Sequence, residues 1–238
     1  MARHVVSVTA TALFTTVAVT LVAGLAGCAE AERPTTTDRG APSTERPSDE
    51  TLPAELQAFL DRAEAGADVA FTGAYEVTQK LGARTATVEV SVDPPAARIG
   101  VDDLVMVAGP HPATCLISAE SCVGEVREQQ LAPLGLFSGF YSAGPAQALR
   151  TAARRPGAGD PLLSNRSVAG AELDCVAIAV GGVTTTTSCL TAEGIFGWVD
   201  TPAVHYELTR YAPGPPSAAL DPPYPVTDDD SFLRAGSG

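Results

Sequence analysis

In two neighbouring segments, residues 71–78 and 85–92, apolar and polar side chains alternate with a period of two. The apolar positions are Phe71, Gly73, Tyr75 and Val77, followed by Ala86, Val88, Val90 and Val92. Successive side chains of a strand point to opposite faces, so this pattern is typical of half-buried antiparallel strands. A sheet with one apolar face must be covered by another layer.

A helix over residues 53–65 can supply part of that layer. Pro53 suits the first helical position, and Gly66 suits the end. Apolar residues recur at spacings of three and four, which places them on one face of a helix. These positions are Leu56, Phe59, Leu60 and Ala63.

The rest of the chain predicts one more helix and more strands. The helix covers residues 145–155 and follows an apolar, glycine-rich stretch at residues 131–141. Strands are predicted at residues 97–101, 104–107, 114–117, 162–168, 173–180, 184–191, 195–200 and 204–211.

The N-terminus combines a basic tip at Arg3, an apolar stretch over residues 5–22 and the run Leu-Ala-Gly-Cys ending at Cys28. This order resembles the signal peptide and lipobox of bacterial lipoproteins. The resemblance implies export, cleavage between Gly27 and Cys28, and a diacylglycerol with chains such as palmitate on the Cys28 sulfur. The protein is then anchored to the outer face of the cytoplasmic membrane.

A single transmembrane helix is the alternative for this segment, because about 20 apolar residues span a bilayer. No basic stop-transfer cluster follows, and the next charges are Glu30 and Glu32. A transmembrane helix also has no need of a thiol at position 28. The lipoprotein interpretation is therefore favoured, and residues 1–27 are excluded from the predicted fold.

Composition divides the mature chain into three parts. Residues 28–51 are rich in Pro, Thr, Ser, Asp and Glu, which predicts a lipidated, disordered tether. Residues 52–212 form the predicted domain. Residues 213–238 contain PGPP, DPPYP and three consecutive aspartates, so we expect an extended or mobile Pro-rich acidic tail.

The mature chain is strongly acidic. Without Arg3 it has 14 basic and 28 acidic residues, a net charge of −14. Nucleic-acid binding depends on Lys and Arg neutralising phosphates, so a nucleic-acid partner is excluded. Anionic headgroups would also repel this surface. The membrane partner is therefore reached through the lipid on Cys28, because two acyl chains bind a bilayer durably.

Four cysteines remain in the predicted domain. An even number outside the cytoplasm is typical of disulfides, and four cysteines allow three connectivities. Zinc is the alternative, but zinc ligands usually form pairs separated by two to four residues. The separations here are six and thirteen residues. The cysteines are Cys115, Cys122, Cys175 and Cys189.

Hairpin geometry favours the two local pairs. A three-residue loop at residues 181–183 places Cys175 opposite Cys189. A turn at Ser118-Ala119 places Cys115 opposite Cys122. Opposite residues of antiparallel strands are about 4.5–5.5 Å apart at Cα, which suits a disulfide.

The ordered set of segments resembles the LolA-like superfamily of lipid carriers, which includes the LprG–LppX lipoproteins. The resemblance covers roughly residues 52–225. It rests on FTGAYEVT, on TCLISAESCVG followed by PLGLFSGF, on DCVAIAVGGVTTTTSCLTAEGIFGWV and on DPPYPV. It implies an α+β fold: a curved antiparallel half-barrel with helices on its concave face and an apolar cavity for acyl chains.

Two groups of residues are candidates for binding a ligand in such a cavity. Apolar residues of the glycine-rich stretch can cover it, although apolar runs more often complete a core. Arginines at the end of the second helix can hold an anionic headgroup, although a helix C-terminus favours cations in any case. The candidates are Leu134, Leu136, Phe137, Phe140, Tyr141, Arg150, Arg154 and Arg155.

Catalytic signatures are weak. The mature chain has two histidines, His111 and His205, and one lysine, Lys80. It contains no G-x-S-x-G elbow, S-x-x-K, HExxH or phosphate-binding glycine loop. We therefore expect no enzyme activity, no cofactor and no metal site.

The sequence predicts a membrane-anchored exported lipoprotein that binds or carries a lipid or other hydrophobic ligand. The alternative is an accessory or sensor lipoprotein with a filled core that binds a protein partner. An envelope hydrolase is a third, weaker hypothesis. An enclosed apolar cavity favours the first, and a solid core beside an exposed apolar patch favours the second.

Overall fold

The computed structural model describes residues 52–180, 184–218 and 220–235. The predicted signal peptide, Cys28 and the tether lie outside the described residues, as does the predicted hairpin loop at residues 181–183. Their assignments stay predictions.

The described chain contains three α-helices: α1 at Ala54–Ala65, α2 at Ala143–Ala153 and α3 at Ser231–Ala235. Short 3-10 helices at Gly66–Asp68, Glu128–Gln130 and Ala132–Leu134 lie between the larger elements. The strands are β1 Phe71–Gln79, β2 Arg84–Asp93, β3 Ala96–Val101, β4 Leu104–Ala108, β5 Ala113–Leu116, β6 Ser121–Val123, β7 Leu162–Val168, β8 Ala171–Val180, β9 Thr184–Leu190, β10 Phe196–Asp200, β11 Val204–Pro213 and β12 Val226–Thr227.

These strands form one open sheet in the order β12-β6-β5-β4-β3-β2-β1-β11-β10-β9-β8-β7. Neighbours are antiparallel except β12 and β6, which are parallel. Strand β7 approaches β11 although three strands lie between them, so the sheet curls at this end. The predicted α+β class, with a curved and mostly antiparallel sheet, is confirmed.

Helix α1 covers the sheet with the face predicted from its apolar spacing. Leu56, Phe59, Leu60 and Ala63 are all buried there. Pro53, predicted as the first helical residue, is the N-cap, and the helix begins one residue later at Ala54. The ring of Phe59 meets that of Phe196 from β10 edge-on, at 6.3 Å between centroids, which ties the helix to the sheet.

The alternating segments form the centre of the sheet. Strand β1 pairs with β2 so that Tyr75 lies opposite Val88 and Val77 lies opposite Ala86. These four residues belong to the main core together with α1 and α2. The two-residue period thus places the apolar side chains beneath the helices.

Both local disulfides are present, as predicted. Cys175 lies opposite Cys189 on β8 and β9, and Cys115 lies opposite Cys122 on β5 and β6. Each pair has a Cα–Cα distance of 4.0 Å. They belong to two small clusters separate from the main core, so they lock hairpins rather than the helix-covered face.

The tail differs from the extended or mobile end that was expected. Tyr224 packs on the cluster around Cys115 and Cys122, and β12 adds a short parallel strand beside β6. Asp230 accepts a hydrogen bond from Arg127 at 3.2 Å, and Leu233 of α3 is buried. These contacts join residues about a hundred positions apart, so the local composition did not reveal them.

Among the described residues, no helix is both long and apolar enough to cross a membrane.

Candidate functional site

An apolar cavity of about 400 Å³ lies between α2 and the curled end of the sheet. Helix α2, the stretch before it and strands β9, β10 and β11 supply its walls. The lining residues are Gly135, Leu136, Phe137, Phe140, Gly144, Pro145, Ala148, Leu149, Ala152, Arg155, Thr186, Ser188, Val199, Thr201, Pro202, Val204 and Tyr206.

The periodicity of each element explains why these residues face the cavity. On α2 the lining positions recur every three to four residues from Gly144 to Ala152, which is one face of a helix. On the strands they recur every second residue, as with Thr186 and Ser188 on β9. Small and apolar side chains on α2 leave the space that larger residues would fill.

The stretch from residue 134 to residue 141, here called the cover segment, closes one side of the cavity. Gly135 has a left-handed φ of 70°, which ends the preceding 3-10 helix and turns the chain. The carboxylate of Glu128 then accepts a 2.9 Å hydrogen bond from the Ser138 amide and a second bond from the Ser138 hydroxyl. These two hydrogen bonds therefore hold the cover segment in place at Ser138, next to Phe137.

Phe137 lies at the edge of the cavity with 40% of its surface exposed. Its ring packs directly on the backbone of Gly144, where an added Cβ would lie 1.9 Å from the ring carbon Cζ. Only glycine at position 144 leaves room for the ring in this position. Phe137 is thus a partly exposed apolar side chain that packs against the start of α2.

A cluster of aromatic rings lies behind the cover segment. The ring of Phe140 meets those of Tyr75 and Tyr206 edge-on, at 5.1 Å and 5.3 Å between centroids. The Tyr206 hydroxyl donates a 2.6 Å hydrogen bond to the Phe140 carbonyl oxygen. Burial raises the pKa of Tyr206 well above its usual value, so this hydroxyl keeps its proton and stays a donor.

The apolar candidates differ in whether they line the cavity. Leu136, Phe137 and Phe140 line the cavity. Leu134 and Tyr141 are buried in the main core and do not line it. Leu136 and Phe140 also belong to the main core, so the roles of cover and core overlap within one segment.

The arginine candidates are also separated. Arg155 lines the cavity. Arg150 lies outside the lining and forms an ion pair with Glu64 of α1, and Arg154 is exposed and outside the lining. Arg150 and Arg154, two of the candidates for holding a headgroup, thus lie outside the cavity lining.

Sequence reasoning missed the sheet side of the cavity. Val199, Val204, Tyr206 and the hydroxyl residues of β9 line it, and none was a candidate. Their strands were predicted, and alternation marks which residues share a face. The missing information was the sheet order, which brings residues of β9, β10 and β11 into one wall of the cavity.

The histidine candidates lie outside this cavity. His205 Nδ1 is 3.5 Å from Asp200 and its Nε2 is 3.9 Å from Glu207. Its ring meets Trp198 edge-on at 4.3 Å between centroids. His111 is exposed in the loop before β5. The partners that His205 has in the described residues are two carboxylates and an indole.

No protein-family model matches the chain, and no curated protein is significantly similar to it in sequence. Solved structures show a distant likeness. A crystal structure of MucB is 16% identical with a TM-score of 0.45, and the match covers 70% of this chain and 61% of that one. The MucA/MucB complex from Pseudomonas aeruginosa is 15% identical with a TM-score of 0.42, covering 69% and 59%.

LprF from Mycobacterium bovis is 11% identical with a TM-score of 0.41, and the match covers 74% of this chain and 100% of LprF. The chain spans about three fifths of the MucB structures that it matches.

Proposed function

We propose that this protein is a membrane-anchored, exported lipoprotein that binds a lipid or another hydrophobic ligand in the cavity beside α2. The cavity itself is the observation that carries the proposal. Its volume of about 400 Å³ is within the range of small-molecule sites. Most of its lining is apolar, so burial of hydrocarbon would drive binding.

The energy of such binding comes from removing apolar surface from water. Each buried methylene contributes roughly 0.8 kcal/mol. Part of this gain is offset by the ordering of the ligand chain and its loss of free motion. A single acyl chain is therefore sufficient for useful affinity, and no chemical step is needed.

Export and anchoring are supported by separate features. The two disulfides are typical of proteins outside the cytoplasm. The run ending at Cys28 supplies the acceptor for the lipid anchor. An anchor of this kind would keep the cavity near the membrane from which a hydrophobic ligand would come.

Uptake of a fluorescent fatty acid by the exported protein tests the proposal. Phe137→Asp places a charge at the apolar edge of the cavity, and we expect it to abolish uptake. Because Phe137 is partly exposed, the domain should stay folded by circular dichroism. Leu162→Asp is the matched control, since Leu162 is 69% exposed on β7 and lies outside the cavity lining. Uptake by the Phe137→Asp protein at the level of the control would exclude this cavity as the site.

Binding of a protein partner is the second candidate function, and the edge strand β7 favours it. Strand β7 ends the sheet, and its Leu162 and Leu163 are 69% and 58% exposed. A free edge with apolar side chains can accept a strand from another protein. If this is the main function, cross-linking on cells should lose the partner in the Leu162→Asp protein and keep it in the Phe137→Asp protein.

A further inference from the structure

We infer that the ligand of this cavity is a single-chain amphiphile with a compact anionic head, a carboxylate or a phosphate, held by the guanidinium of Arg155. This inference rests on the proposed function and specifies its ligand class. It follows from the charge of the lining, the partners of the nearby arginines and the size of the cavity.

Arg155 is the one charged residue among those that line the cavity in the described part of the chain. The other lining residues are apolar or carry hydroxyl groups, and none is an acid. The absence of a lining carboxylate is informative because the chain has 28 acidic and 15 basic residues. An anionic headgroup would therefore meet a cation here without facing a lining acid.

The guanidinium of Arg155 is available for such a contact. Within the described residues it forms no ion pair or side-chain hydrogen bond. Arg150 on the same helix is already paired with Glu64. A guanidinium presents a planar set of donors that matches the oxygens of a carboxylate or phosphate.

The dimensions of the cavity indicate one hydrocarbon chain. A volume of about 400 Å³ holds roughly a dozen groups the size of a water molecule or a methylene. The lining part of α2, from Gly144 to Ala152, rises about 12 Å. A diacyl lipid would leave most of its second chain outside this space.

The two ends of the cavity differ in polarity, which orients the ligand. Arg155 follows the C-terminal end of α2. Phe137 packs on Gly144 at the other end of the helix. An amphiphile would therefore place its anionic head at Arg155 and the end of its chain toward Phe137.

A cation near a helix C-terminus is also favourable without any ligand. Arg154 distinguishes the two roles, since it is at the same helix end but outside the cavity lining. A general helix-end effect would involve both arginines, whereas headgroup binding involves Arg155 alone.

Native mass spectrometry of the exported full chain in phosphatidylcholine nanodiscs tests this assignment. The probes are dodecanoate, dodecyl phosphate and the uncharged dodecanol, each offered to wild type, Arg155→Ala, Arg155→Lys and Arg154→Ala. We expect Arg155→Ala to weaken binding of both anions by about tenfold, the effect of losing one charge-assisted contact. Dodecanol binding should be unchanged, Arg155→Lys should recover part of the loss, and Arg154→Ala should behave as wild type.

Each contrary result has a distinct meaning. Equal binding of the anions and dodecanol by wild type, unchanged in Arg155→Ala, would overturn the headgroup inference and leave the cavity proposal intact. The same loss in Arg154→Ala as in Arg155→Ala would assign the effect to the helix end and also overturn it. Failure of wild type to bind any probe would contradict the proposed function as well.

Discussion

Two buried tyrosines in contact with Phe140 differ in one hydrogen bond. Tyr206 donates its hydroxyl proton to the Phe140 carbonyl oxygen. The hydroxyl of Tyr75 is also buried, but it has no hydrogen-bond partner within the described residues. Burial raises the pKa of both hydroxyls well above the usual value. Both therefore stay protonated, and only Tyr206 stabilises the fold through its proton.

Removing each hydroxyl should thus change the stability of the fold by different amounts. Tyr206→Phe leaves a buried carbonyl without its donor, and we expect the free energy of unfolding to fall by about 1–2 kcal/mol. Tyr75→Phe removes an unsatisfied polar atom, and we expect a change within about 0.5 kcal/mol or a small gain. Urea unfolding of the two variants measures the difference.

The two variants change the same atom in the same aromatic cluster, so each is the control of the other. Equal losses of stability would show that Tyr75 has a partner, and no loss in Tyr206→Phe would show that its hydrogen bond contributes nothing. The pair therefore tests the packing behind the cover segment independently of any ligand.

At the scale of elements, the local sequence of the hairpins predicted which residues lie opposite each other in the sheet. The three-residue loop that predicted Val180 opposite Thr184 also predicted Cys175 opposite Cys189, and both pairings are present. Register follows from a turn and a two-residue period, which are local features. For the same reason α1 and its buried face were predicted from residues 53–65 alone.

The disulfide between β8 and β9 should make a measurable contribution to stability. Changing both Cys175 and Cys189 to alanine should lower the free energy of unfolding by about 3 kcal/mol, because it frees a loop of this length in the unfolded chain.

In the unreduced mature domain, thiol labelling should modify none of the four cysteines Cys115, Cys122, Cys175 and Cys189. Strong labelling of any of the four before reduction would contradict full pairing.

What the sequence did not predict depends on distant contacts. The pairing of β12 with β6 joins Val226 to Cys122, and no local pattern marks a two-residue strand. The cavity also depends on contacts between residues that are distant in the sequence. Its cover residues Leu136 and Phe137 stand out in the sequence, whereas Val204 and Tyr206 resemble any half-buried strand residues until the sheet order is known.

At the scale of the whole molecule, the curl of the sheet creates the site. Strand β7 approaches β11 across the curl, and α2 packs on β8 and β9 beside the cavity that β9, β10 and β11 line. Small residues on α2 keep it from filling the space, and the cover segment closes it at Phe137. The proposed lipid on Cys28 and the cavity would have separate roles: one anchors and the other binds.

The central claim is that this cavity holds a hydrophobic ligand, and native mass spectrometry of the exported full chain tests it most directly. The protein would be extracted from its membrane into polymer discs without detergent. The account predicts a discrete non-covalent mass that is lost on denaturation and fragments as a single-chain lipid, while the mass on Cys28 is retained. A protein that carries only the Cys28 modification, even after incubation with an excess of dodecanoate, would contradict the account and favour the partner-binding function of β7.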